Sequence, residues 1–152
     1  MTAADVLDRG RESFERQAWR DAYAQLSAAD HETSLEPEDL ERLATAAYLV
    51  GKDADSEDVW ARAHHEFLSR RDAERAARCA FWLAFGLLNK GEQARGGGWI
   101  ARARRLLYDG QHDYGCAASI SNRRFKASNR RFKASNRRFK ASNDRIEASS
   151  RR

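Results

Sequence analysis

The stretch DAERAARCAFWLAFGLLNKGEQARGGGWIARARRLL, residues 72–107, decides the fold because it reads as two amphipathic helices joined at Gly91. Apolar side chains recur at helical spacing on either side of that glycine. They are Ala80, Leu83, Ala84 and Leu87 in the first helix, and Ile100, Ala103 and Leu107 in the second. A pair of this kind cannot bury its apolar face alone, so it requires neighbouring pairs of the same kind.

Two further helix pairs precede this stretch. In the first pair, a capping box at residues 2–5 opens a helix that we expect to reach about Gln17, and its partner occupies about residues 19–30. The second pair begins at Pro37, a residue that suits the first helical position. Gly51 closes its first helix in a left-handed conformation, and the partner helix ends near Ser69.

The second helices of the three pairs share one spacing, in which a small residue is followed four positions later by a bulky one and three positions after that by Ala. The matching triplets are Ala22-Leu26-Ala29, Ser56-Trp60-Ala63 and Gly96-Ile100-Ala103. The first helices carry Gly10, Ala44 and Ala84 at a constant 19 residues before that last Ala. Successive units lie 34 and 40 residues apart, which predicts about six extra residues in the connection at 66–74.

This pattern resembles the tetratricopeptide repeat, which has a period of 34 residues. The resemblance covers residues 3–108, although the early Trp of the consensus is absent and Pro37 is the only proline. It implies an all-α fold, a tetratricopeptide-like helical hairpin array of three helix pairs over residues 1–113. An unrelated helical bundle is the alternative.

In tetratricopeptide arrays, the first helix of each pair lines a concave groove that binds a protein or peptide. Carried over onto this chain, the resemblance places eight residues near that groove. They are Arg11, Phe14, Glu41, Tyr48, Arg78, Phe81, Phe85 and Asn89. For the aromatic residues Tyr48, Phe81 and Phe85, plain core packing is the alternative.

A narrower resemblance is to the N-terminal repeat regions of large actinobacterial LuxR-type transcriptional regulators. It is carried by RGRESFERQAWRDAYAQLSAAD (9–30), ERLATAAYLVGKDADSEDVWARAHHEFL (41–68) and RAARCAFWLAFGLLNKGEQARGGGWIARARRLL (75–107). Such regulators bind DNA through a C-terminal helix-turn-helix domain. The resemblance stops around residues 111–113 and implies a non-enzymatic interaction or regulatory module. We therefore expect a fragment of such a regulator that lacks the DNA-binding domain.

Residues 114–152 differ from the rest in charge and composition. They carry 12 Lys+Arg against 2 Asp+Glu, whereas residues 1–113 carry 16 against 21. The heptad SNRRFKA occurs at 121–127, 128–134 and 135–141. Neither a helix nor a strand would bury its Phe side chains well, so we expect a disordered or marginally helical low-complexity tail. Duplication in a frameshifted reading frame and selection for the repeat itself are alternative origins.

The tail also predicts a contact with nucleic acid. Its cations would meet phosphates and its aromatic rings would stack on unpaired bases. The candidate residues are Arg123, Arg124, Phe125, Lys126, Arg130, Arg131, Phe132, Lys133, Arg137, Arg138, Phe139 and Lys140. Non-specific attraction of any polyanion by an arginine-rich tail is the alternative.

We expect no catalytic, cofactor or metal site. Gly96-Gly97-Gly98 lacks the other residues of a phosphate-binding loop, so close helix packing is the better explanation. His64 and His65 are expected to be partly exposed and are poorly placed for metal binding. Cys79 is expected to be a buried, inert thiol. No run of 18 apolar residues occurs, and a cytoplasmic location without membrane insertion is expected.

The third pair raises a question of its own, because Trp99, Ile100 and Leu107 have no following helix to cover them. Two outcomes are open. Residues 114–125 fold back as a cap, or the chain self-associates through the third pair.

Overall fold

The computed structural model describes residues 2–113, with side chains up to Asp109. These residues form six helices and no strand: α1 (Ala3–Glu15), α2 (Trp19–Glu32), α3 (Pro37–Leu49), α4 (Asp53–Ser69), α5 (Ala73–Asn89) and α6 (Gln93–Asp113). Each helix packs against the next one along the chain. The predicted all-α fold is confirmed. The predicted tail at 114–152 lies outside the described residues.

Four of the five connections are three-residue turns of the same kind. Their middle residues have positive φ: Gln17 (61°), Gly51 (79°), Arg71 (57°) and Gly91 (84°). In each turn the N–H of the third residue donates to the carbonyl five residues earlier, as in Ala18 to Ser13 at 2.9 Å and Asp72 to Phe67 at 2.9 Å. This Schellman arrangement closes the helix and reverses the chain within three residues.

The start of α1 follows its predicted chemistry. Thr2 Oγ1 accepts a hydrogen bond from the Asp5 N–H at 3.3 Å, and Asp5 Oδ2 accepts one from the Thr2 N–H at 2.8 Å. The predicted capping box is therefore confirmed. The remaining connection, residues 33–36, leads into α3 with Pro37 in its first turn.

The three aligned alanines are buried between the helices. Ala29, Ala63 and Ala103 are 2%, 0% and 5% exposed. All three occupy the eleventh position of their helix, so the alignment of the three second helices that the sequence predicted is confirmed.

The predicted location of the six extra residues is wrong. The connection between α4 and α5 is only residues 70–72, one residue shorter than the connection between α2 and α3. Instead, α4 is 17 residues long against 14 in α2, and α5 is 17 residues long against 13 in α3. The longer spacing of 40 residues between the second and third units is therefore accommodated by lengthening two helices, while the turn stays tight.

Small residues allow the two helices of a pair to approach closely. A Cβ added to Gly10 would lie 2.8 Å from Leu26 Cγ, and one added to Gly96 would lie 2.6 Å from Leu88 Cγ. In the second pair, the Ser56 hydroxyl donates to the Ala44 carbonyl at 2.8 Å. The packing role predicted for the glycine run therefore holds for Gly96. Gly97 is exposed, and a Cβ there would meet nothing within 4 Å.

Candidate interaction surface

The helices α1, α3 and α5 form what we call the first-helix face. At its α1–α3 boundary, the Arg11 side chain donates to both carboxylate oxygens of Asp39, at 3.0 and 2.7 Å. Arg42 donates to the same carboxylate at 2.8 Å. The Asp39 side chain is 1% exposed, so the charge of this carboxylate is held inside the protein by two guanidinium groups.

Two opposing effects determine the pKa of Asp39. Burial by itself would raise the pKa of the carboxyl group, but the hydrogen bond and charge of Arg11, together with Arg42, lower it below its ordinary value. Asp39 therefore stays ionised and fixes α1 against α3.

A second set of ion pairs lies between α3 and α5. Arg75 donates to Glu38 at 2.6 Å, and Arg78 donates to Glu41 through Nε at 3.0 Å and through Nη2 at 2.5 Å. Burial opposes the charge of Arg78, but the hydrogen bond that Arg78 donates to Glu41, together with the charge of that carboxylate, outweighs burial and raises the guanidinium pKa. Because the two partners in each pair neutralise each other, little net charge remains along this boundary.

The ion pairs Arg11–Asp39, Arg42–Asp39, Arg75–Glu38 and Arg78–Glu41 together form what we call the ion-pair ladder. Cys79 lies beside it. Its Sγ is 3.6 Å from Glu41 Oε1, and the residue is fully buried. Burial and the Glu41 carboxylate raise the pKa of the Cys79 thiol well above its ordinary value. The thiol is therefore held neutral, in line with the predicted buried, inert cysteine.

Aromatic side chains lie on the first-helix face in the C-terminal halves of α3 and α5. We call this part of the face, which contains Tyr48, Phe81, Trp82, Phe85 and Asn89, the aromatic end. Phe81 packs edge-on against Trp82 at 5.3 Å, Trp82 against Phe85 at 5.8 Å, and Phe85 lies 6.4 Å from Tyr48 across the helix boundary. Asn89 Nδ2 donates to the Tyr48 hydroxyl at 3.4 Å. Phe81, Phe85 and Tyr48 are half-buried, so each takes part in packing and still presents surface.

The structure brings most of the predicted groove residues together. Arg11, Glu41 and Arg78 belong to the ion-pair ladder, while Tyr48, Phe81, Phe85 and Asn89 belong to the aromatic end. Phe14 is the exception, since its ring packs against Trp19 of α2 at 5.3 Å.

Sequence reasoning named Glu41 but missed the other two acidic partners, Glu38 and Asp39. Together these three residues give α3 an acidic edge, whereas α5 carries Arg75 and Arg78. Opposite charges on neighbouring first helices were the signal that could have revealed them. Trp82 was also missed; it is 8% exposed and joins Phe81 to Phe85.

The second helices are also joined by polar contacts. Arg62 of α4 donates to both oxygens of Asp30 of α2, at 2.7 and 2.9 Å. Tyr23 of α2 donates to Asp55 of α4 at 2.6 Å. The first and second pairs are therefore held together by polar contacts on both sides of the array.

His64 is fully buried, so the prediction of a partly exposed side chain is wrong. Its Nδ1 lies 2.8 Å from the Ala76 carbonyl, and Trp99 of α6 packs edge-on at 5.2 Å. The carbonyl requires a proton on Nδ1, which leaves Nε2 as a buried acceptor without a partner among the described residues. Burial lowers the pKa of His64, and the nearby charges of His65 and Arg102 act in the same direction.

Within residues 2–113, no group of three or more His, Cys, Asp or Glu side chains is placed to hold a metal ion. In the same part of the chain, no helix is long and apolar enough to cross a membrane. The candidate nucleic-acid residues, from Arg123 to Lys140, lie outside the described residues.

Comparisons with protein-family models, with curated proteins and with solved structures find no match to this chain.

Proposed function

We propose that residues 1–113 are a non-enzymatic protein-interaction module of tetratricopeptide type, which binds a protein or peptide partner on the first-helix face. The observation that carries this proposal is the aromatic end of that face. Tyr48 and Phe85 come from different helices, contact each other, and remain half-buried. Such pre-ordered aromatic side chains contribute much of the binding energy at protein interfaces.

The neighbouring ladder indicates what the partner would contact. The arginines and carboxylates of the ladder already pair with one another. They therefore offer a partner hydrogen-bonding groups but little net charge. Gly86 leaves open space on α5 beside Phe85, because a Cβ there would meet nothing within 4 Å. An extended or helical peptide with an apolar anchor suits this combination better than a highly charged one.

The resemblance to LuxR-type regulators supports a regulatory role for the module, in which partner binding on the repeats would be coupled to transcription. We also propose a cytoplasmic location, because the free thiol of Cys79 fits a reducing compartment.

A displayed peptide library selected on the whole chain tests the proposal. We expect selected peptides to lose at least about tenfold in affinity on the Phe85→Ala variant, since interface hot spots contribute about 2 kcal/mol or more. Tyr108→Ala removes an exposed aromatic from α6 and serves as the matched control, which should bind as the wild type does. Peptides that bind both variants equally would place the binding surface elsewhere.

A second candidate function is nucleic-acid binding through the Arg-Arg-Phe-Lys units of the tail. It rests on the sequence of residues 121–141, where each Phe is preceded by two arginines and followed by a lysine. Binding of single-stranded RNA or DNA should disappear when 117–152 is deleted. Binding lost by about 200 mM salt would indicate non-specific attraction alone, whereas retained binding that depends on Phe125, Phe132 and Phe139 would favour this function.

A further inference from the structure

His64 lies where three helices meet. Its side chain belongs to α4 and is fully buried. Its Nδ1 donates to the Ala76 carbonyl of α5 at 2.8 Å, and the Trp99 ring of α6 packs edge-on against the imidazole, with 5.2 Å between the ring centroids. Nε2 has no hydrogen-bond partner among the described residues. A titratable ring thus stands between the second and third helix pairs with one nitrogen bonded and the other unbonded.

The surroundings of His64 oppose a second proton from every helix that contacts the ring. Burial is the main cause that lowers the pKa of His64. The charge of His65 on α4 and that of Arg102 on α6 act in the same direction. From α5 the group that acts on the ring is the Ala76 carbonyl, which carries no net charge. The neutral imidazole is therefore the form that fits the closed array.

A second proton on His64 would act on α6 in particular. The hydrogen bond from Nδ1 to α5 survives protonation, because Nδ1 already carries its proton in the neutral ring. The new N–H at Nε2 would be buried without an acceptor among the described residues, which is costly until water reaches it. Trp99, which covers the ring, is half-buried, and Arg102, which lies over Trp99 at 4.6 Å, would be repelled by the imidazolium. Both residues belong to α6.

Helix α6 is also weakly held. Within residues 2–113 it packs mainly against α5, whereas α4 packs against both α3 and α5. Its first two turns contain three consecutive glycines at 96–98, and glycine is the poorest helix former after proline. No acidic residue in its first turn complements the helix dipole. An element with few neighbours opens separately from the rest of a fold, so α6 is the helix that can open alone.

We propose that His64 releases α6 in response to acid: uptake of a proton at Nε2 separates α6 from α4 and α5, while α1 to α5 stay folded. The direction follows from linkage, because the opened form binds the proton more readily than the closed form. Opening is therefore favoured as the pH falls below about 6.5, the ordinary pKa of histidine. The first-helix face is built from α1, α3 and α5, so the proposal does not rest on peptide binding there.

Hydrogen exchange of the full chain, read by mass spectrometry as protection factors from pH 7.5 to pH 5, tests this release. Protection in α6 should be lower than in α4 and α5 at every pH. It should fall with pH by up to about thirtyfold, the limit for one proton bound by the opened form with a pKa of about 6.5. His64→Gln retains a donor for the Ala76 carbonyl but binds no proton, so its α6 protection should be independent of pH. His65→Gln, at the exposed neighbouring position, should show the wild-type fall.

A measurement on the wild type decides the matter even if circular dichroism shows that His64→Gln has lost its helices. NMR titration of the His64 ring gives its pKa in the folded protein. Protection in α6 should stop falling below that pH, because the closed form is then protonated as well. Level protection in α6 across the range would overturn the proposal, and so would a fall that persists in His64→Gln. Equal protection in α4, α5 and α6 would equally overturn it, because these helices would then open together.

Discussion

Asp39 of α3 receives two hydrogen bonds from Arg11 of α1, at 3.0 and 2.7 Å, although 28 residues separate them in sequence. The carboxylate is 1% exposed and the arginine side chain is 42% exposed. The pair therefore joins α1 to α3, and solvent reaches its arginine but not its carboxylate.

Replacing Asp39 by Asn should destabilise the protein, because the guanidinium groups of Arg11 and Arg42 would lose the negative charge that compensates both of them. Breaking a fully buried pair costs about 3–5 kcal/mol, but both arginines here are partly exposed. Solvent screening reduces the expected cost to about 1–3 kcal/mol. Urea unfolding of the variant measures it. Asp8→Asn, which removes an exposed partner of Arg11, should change the free energy of unfolding by less than about 0.5 kcal/mol; equal effects would show that the burial of Asp39 is unimportant.

His64 should make stability depend on pH. Its pKa is lowered in the folded protein, so its contribution is complete above the unfolded value of about 6.5. It is then lost as the pH falls through the lowered folded value, because the unfolded chain takes up the proton more readily. Urea midpoints measured from pH 7.5 down to pH 5 should decrease. His64→Gln should flatten that decrease while His65→Gln, at an exposed position, leaves it in place. A decrease that persists in His64→Gln would assign it to other groups.

The three consecutive glycines of α6 should respond differently to alanine. Gly96→Ala should destabilise the protein by about 1–3 kcal/mol, because the new Cβ would press on Leu88 and on the Ala84 carbonyl, which is backbone and cannot move aside. Gly98→Ala meets open space and should stabilise the helix by up to about 1 kcal/mol. Thermal unfolding of both variants decides the matter, and a stabilising Gly96→Ala would contradict the close approach of α5 and α6.

Arg71 has a φ of 57°, a left-handed conformation that side chains other than glycine adopt at a cost. Arg71→Gly should therefore stabilise the protein by about 1 kcal/mol, while Gly91→Ala, at a φ of 84°, should destabilise it by a similar amount. Chemical denaturation provides both values. A destabilising Arg71→Gly together with a stabilising Gly91→Ala would mean that these turns are not formed in solution.

The sequence predicted those features that depend on local periodicity and capping. Small and bulky residues at fixed spacing revealed the three pairs, and Thr2, Pro37 and Gly51 marked helix ends, because each signal operates within one or two turns of helix. The turn at Arg71 was not predicted, since an arginine carries no sign of left-handed backbone. As a result, the six extra residues between the second and third units were assigned to a loop although they lengthen α4 and α5.

Other features depend on contacts between distant residues. His64 is buried because α5 brings the Ala76 carbonyl to its ring, and neighbouring residues on α4 do not encode that contact. The Arg11–Asp39 pair likewise depends on how α1 lies against α3. Of the candidate surface, the repeat resemblance named Tyr48, Phe85 and Asn89, which the structure brings into contact. It also named Arg11, Glu41 and Arg78, but the pairing of these charges across helices required the structure.

Thiol labelling of single cysteines tests the central claim, which is that three helix pairs stack in phase around their aligned alanines. In a chain with Cys79 and Cys116 replaced by alanine, cysteines at positions 29, 63 and 103 should react only as fast as the protein opens. Cysteines at the exposed alanines 28 and 101 should react at once, as in an unfolded chain. Equal, rapid labelling at 29, 63 and 103 would contradict the stacked array.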